Sequence, residues 1–132
     1  MPSLLFVLKV FAPVLLVVAA LHLILGVSAE ALLGAKLPQE VINEPSLNSQ
    51  NRFYGVSYAL YGVVLWLCSN DIKRFEPVFK ATMWVSLFAG ASRLVAWAMH
   101  GAPAPFVLFL LATELVFPCV LLLWHAKVRN EA

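Results

Sequence analysis

The chain has 132 residues, enough for one domain. It is 62% hydrophobic and 12% charged, where a soluble domain has about 45–50% and about 25%. With mean hydropathy +0.88 and net charge +2, this composition excludes an ordinary soluble globule, a disordered chain and a nucleic-acid binder.

Four segments have the length and apolarity of membrane spans, each needing about 20 mainly apolar residues. The first covers roughly residues 4–29, with an uncharged run from Val10 to Ala29. Val27-Ser28-Ala29 before Glu30 also fits a signal-peptide cleavage site. The apolar run is long for that role, and no Lys or Arg precedes Lys9, so a retained span is the expectation. A long external connection follows, residues 30–52, with Pro38, Pro45 and the polar run Ser46–Asn51. Leu33, Leu37 and Val41 recur every four residues there, the spacing of a short interfacial helix. The second span covers residues 53–70 and stops at Asn70-Asp71. The third covers 79–99, introduced by Pro77, and the fourth 105–124. Between them His100–Pro105 is a tight hairpin rich in Gly and Pro.

Basic residues set the orientation. With both termini inside, Lys9, Lys73, Arg74, Lys80, Lys127 and Arg129 lie inside, and Lys36 and Arg52 outside. Trp66, Trp84 and Trp124 then fall near the inner interface and Trp97 near the outer one. The fold expected is an all-α integral membrane four-helix bundle, N-in/C-in, forming a single transmembrane domain over residues 1–132. The expected location is the bacterial inner membrane, crossed several times.

Charge inside a span is expensive, about 2.5–3.5 kcal/mol on insertion scales, so it faces the bundle interior and is paired. Arg93 lies six residues before Met99, roughly 9 Å below the outer end at helical rise. Glu114 lies nine residues after Pro105, roughly 14 Å below the same surface. The hairpin makes their helices antiparallel neighbours, which predicts an Arg93–Glu114 pair. Ser86, Ala89, Gly90 and Arg93 share a helical face where small residues allow close approach. Pro118 follows Glu114 by four and removes the helical donor of the Glu114 carbonyl. Tyr54, Tyr58 and Tyr61 share a face of the second span, beside a Gly55/Ala59/Gly62 face that reads as helix packing. His22 lies in the outer half of the first span as a hydrogen-bonded core histidine.

The polar groups of all four spans therefore gather in the outer half: His22, Arg52, Tyr54, Tyr58, Tyr61, Arg93 and Glu114. The cluster has two readings. One is an internal network that fixes helix register. The other is a pocket for an amphipathic molecule with a polar or anionic head. His100 reads as a solvated loop tip and His125 as an inner interface residue. Cys68 and Cys119 are too few for a disulfide framework and read as packing residues. Neither Cys-x-x-Cys nor His-x-x-x-His occurs, so no metal site or cofactor is expected.

The run Asn51-Arg52-Phe53-Tyr54-Gly55, then Gly62, the charged turn Asp71-Ile72-Lys73-Arg74, Gly90-x-x-Arg93 and Glu114-Leu115-x-x-Pro118 resembles a family of small bacterial four-span membrane proteins, the domain of unknown function 4345. The resemblance covers roughly Pro2 to Trp124. It implies that Arg52, Arg93, Glu114 and Pro118 belong to one pattern, and it brings no established activity. More loosely, the architecture is similar to DoxX-type four-helix membrane proteins, some associated with redox complexes. No residue here matches a redox site, so that association is not carried over.

The function expected is that of a non-enzymatic accessory subunit or a binder of lipophilic ligands. The alternative is an intramembrane enzyme, an isomerase or similar, in which Glu114 and a tyrosine do acid–base work on a lipid-like substrate. No second carboxylate, nucleophile–base pair or metal cluster supports that alternative. A proton-coupled transporter would need more spans or a repeat. Expected partners are membrane lipids, a lipophilic small molecule, and a membrane protein or a second copy of the chain.

Overall fold

A computed structural model describes residues 2–131. Among them every regular element is a helix, with no strand. Four long helices carry the fold: α1 (Pro2–Leu25), α4 (Pro45–Asn70), α5 (Glu76–His100) and α6 (Pro105–Glu131). Two short ones, α2 (Ser28–Leu32) and α3 (Gln39–Ile42), lie between α1 and α4.

By length and composition, α1 and α6 are long and apolar enough to cross a membrane. The helices α4 and α5 are as long but more polar, because α4 opens on Ser46–Arg52 and α5 carries Lys80 and Arg93. Every long helix nevertheless exposes large apolar side chains. Ile24 is 72% exposed, Phe53 71%, Phe88 71% and Leu123 73%. Isolated exposed hydrophobics are ordinary in soluble proteins, but so many around every helix are not.

The helices associate as two pairs, α1 along α4 and α5 along α6, with a smaller contact between α4 and α5. Glycines set the closest approaches. A Cβ on Gly55 would lie 2.1 Å from Cβ of His22, and one on Gly62 would lie 2.9 Å from the Ala12 carbonyl oxygen. The Gly/Ala face of α4 thus packs on α1, as its spacing predicts. On α5, a Cβ on Gly90 would meet Leu115 at 2.8 Å. At the end formed by the termini and the α4–α5 turn, all four long helices share one core. It holds Leu4, Leu8, Ala12, Leu65, Cys68, Ile72, Phe79, Met83 and Leu121. At the opposite end, every α5 residue from Ala91 to His100 but Arg93 is exposed.

Several local expectations change. The connection expected to run to residue 52 is shorter, because α4 starts at Pro45. Pro45 suits a first helical turn, and the Glu44 carboxylate accepts from the Leu47 N–H at 2.6 Å. That bond also holds the Glu44 carboxyl below its usual range, the Leu47 N–H being the largest cause. The Leu33/Leu37/Val41 repeat does not form one interfacial helix: α2 ends at Leu32, and Pro38 is extended before α3. His100 ends α5 rather than sitting in a loop, and it is exposed. His125 is buried, not interfacial, with its ring 5.2 Å from that of Phe79. Of the cysteines, Cys68 is buried and Cys119 is exposed.

Candidate functional site

Arg93 is the hub of the polar cluster. Its Nε donates to Glu114 Oε2 at 2.6 Å, and its Nη2 donates to Glu114 Oε1 at 3.2 Å. This two-point fork is the strong form of an arginine–carboxylate pair. Nη2 also donates to the Tyr58 hydroxyl at 3.1 Å. The three residues come from α5, α6 and α4, so the contact ties the two helix pairs together. Gly90 lets α6 approach so closely that a Cβ there would stand 3.3 Å from Cβ of Glu114. The Arg93 side chain is 30% exposed and that of Glu114 16%.

Tyr58 links this triad to α1. Its ring stacks on His22, with 6.4 Å between centroids and 26° between planes. The His22 ring faces oxygen on both sides, the Val18 carbonyl at 2.9 Å from Nδ1 and Glu30 Oε1 at 3.2 Å from Nε2. Asn51 Nδ2 donates to the same Glu30 oxygen at 3.0 Å. The Oδ1 of Asn51 is buried without a partner among the described residues.

Arg52 belongs to a separate device. Its Nη1 donates to the carbonyls of Leu23 and, at 3.1 Å, Ile24. Those are orphan acceptors at the negative end of the α1 dipole. Gly26 follows at φ +59°, the left-handed conformation that closes a helix. A Cβ there would lie 2.4 Å from Asn48 Oδ1. Asn48 holds the turn, accepting from Val27 N at 3.2 Å and donating to the Ile42 and Glu44 carbonyls at 2.6 and 3.0 Å.

Of the seven residues singled out by sequence, the structure brings together Arg93, Glu114, Tyr58 and His22. Tyr61 flanks Tyr58, with 6.5 Å between ring centroids. Arg52 caps α1, and Tyr54 is 62% exposed with its ring edge-on to Phe53. The sequence reading missed Glu30 as the partner of His22 and Asn48 as the clamp of the turn. The available signal was Gly26, which reverses the chain between His22 and Glu30. A cavity of about 440 Å³ lies at this end between residues 34–36 and 102–107, and none of the seven lines it. No group of three or more His, Cys, Asp or Glu is placed to hold a metal among the described residues.

The triad is electrically neutral, and both oxygens of its one carboxylate are occupied by Arg93. It can therefore hold a guanidinium and a phenol in fixed positions and donate hydrogen bonds. The family described as domain of unknown function (DUF4345) matches residues 3–125. No curated protein and no solved structure matches the chain.

Proposed function

The chain belongs to the DUF4345 family, and from that premise we propose that it is a four-span protein of the bacterial inner membrane that binds a polar-headed lipophile at Arg93, Glu114 and Tyr58. Four spans with both termini inside would place this triad in the outer half of the membrane. The exposed apolar side chains on α4 and α5, not only on α1 and α6, support four crossings. The six basic residues at the end shared by the termini and the α4–α5 turn support the orientation. The packing of Gly55 and Gly62 against α1 supports a retained first span. Such a protein binds its ligand without chemistry of its own, alone or as an accessory to a membrane partner.

One observation carries the binding reading. Arg93 spends Nε and Nη2 within the triad and leaves Nη1 without a partner among the described residues, a donor open to a guest. That unspent group belongs to a side chain still 30% exposed. Acid–base catalysis has less support, because the one carboxylate is committed to Arg93.

Native mass spectrometry of the wild type and of the Arg93→Met/Glu114→Gln double variant tests this. The binding reading predicts a lipophile that stays with the wild type and is lost from a folded double variant. An identical lipid profile in both leaves the triad as helix glue.

A further inference from the structure

The donors and acceptors of the triad specify the chemistry of the head group. Glu114 cancels the charge of Arg93, and each of its oxygens already accepts from Arg93. Two kinds of proton are left over. The Nη1 amino group of Arg93 has two N–H bonds and no partner among the described residues. The Tyr58 hydroxyl accepts from Arg93 and donates to none of them. A phenol is both donor and acceptor, so its O–H is free to turn toward a guest. The buried unpartnered oxygen of Asn51 stands with Glu30 and His22 on the far side of the Tyr58–His22 stack.

We infer that the triad is a site for a neutral lipophile whose head is a carbonyl oxygen, held by Arg93 Nη1 and Tyr58. A phosphate or carboxylate head fits poorly, because a net positive charge is what offsets the desolvation of an anion, and here Glu114 has removed it. A carbonyl has two lone pairs and no proton, which matches two donors from two directions. One turn further along the same face of α5, Trp97 is 41% exposed and offers an apolar wall for the tail. This rests on the reading of the triad as a ligand site and narrows it to one head group.

The test uses the full chain in phosphatidylcholine nanodiscs with three probes of similar tail: methyl tridecyl ketone, tetradecyl phosphate and pentadecane. Retention is read by native mass spectrometry, and the carbonyl stretch of an isotope-labelled ketone by infrared difference spectroscopy. The inference predicts that the ketone is retained above pentadecane and above the phosphate, with its carbonyl stretch moved to lower frequency. Tyr58→Phe, which keeps the ring and removes one donor, should weaken retention about fivefold. Preferred retention of the phosphate, lost in Arg93→Met, would overturn the neutral-head assignment while leaving a polar-lipophile site standing. Retention of neither polar probe above pentadecane overturns both. Ketone held equally by the wild type, Tyr58→Phe and the Arg93→Met/Glu114→Gln variant is bound elsewhere, and that result also overturns the inference.

Discussion

Replacing Glu114 by glutamine removes one charge and leaves the shape nearly unchanged. Arg93 then keeps its charge against an amide that offers one acceptor in place of two. Breaking a fully buried pair costs about 3–5 kcal/mol. Arg93 is 30% exposed and Glu114 16%, and polar couplings inside membrane bundles average about 0.6 and reach about 1.7 kcal/mol. Between those limits a loss of about 2 kcal/mol is expected. The opposite single change, Arg93→Met, should cost less, because an orphaned carboxylate can take up a proton and become neutral while a guanidinium cannot. The double variant Arg93→Met/Glu114→Gln should recover part of the loss, with a coupling of about 1–2 kcal/mol between the sites. Reversible unfolding in mixed micelles, followed by far-ultraviolet circular dichroism, gives the four free energies of the cycle. A coupling within about 0.3 kcal/mol of zero, where independent sites fall, would refute the pairing as an energetic contact.

Gly55→Ala should destabilise the α1–α4 pair by about 1–3 kcal/mol, the usual range for an added methyl in a tight contact, since that methyl would stand 2.1 Å from Cβ of His22. Ala59→Gly, which adds no volume, is the control in the same micelle assay. Glu76 receives hydrogen bonds from Lys80 at 2.5 Å and Arg129 at 2.8 Å, and that from Lys80 is the first cause holding its carboxyl below the usual range. A folded-state value lower than the unfolded one gives stability that is present above the unfolded value of about 4.3 and lost as the pH falls through the folded value. Wild type should therefore exceed Glu76→Gln in thermal solubility at pH 7 and converge with it at strongly acid pH; a pH-independent difference would refute the pairing. Intact mass of the protein from membranes should include α1, and an N-terminus at Glu30 would establish cleavage instead.

The sequence makes the α5–α6 hairpin and its ion pair legible because both follow from local quantities. Helical rise fixes how far Arg93 and Glu114 stand from the turn, and the Gly/Pro-rich turn makes the helices neighbours. Gly55 and Gly62 announce their contact with α1 for the same reason, since a seven-residue spacing of small residues has little use except close packing. The start of α4 was hidden. Ser46–Asn51 is polar enough to read as loop, and it is helical because Glu44 caps the first turn and because Asn48, Asn51 and Arg52 all bond back to the α1–α2 region. Tertiary bonds of that kind outweigh composition. The His22–Glu30 contact depends on one left-handed glycine that no hydropathy pattern registers. Tyr54 shares a face with Tyr58, yet it is 62% exposed, with its ring edge-on to Phe53. His125 looks interfacial after Trp124, and it is buried because α6 continues to Glu131 and Phe79 reaches it.

Single-cysteine labelling from outside intact cells tests the four-span arrangement most directly. Ser46 near the start of α4 and Asp71 just past its end are both exposed, and 26 helical residues separate the two ends. In a background lacking Cys68 and Cys119, four crossings with both termini inside predict that an impermeant maleimide modifies Ser46→Cys in intact cells and Asp71→Cys only after the membrane is opened. Labelling of both from outside would mean that α4 does not cross, and labelling of Asp71→Cys alone would mean the opposite orientation; either result contradicts a polar triad in the outer half of a four-span bundle.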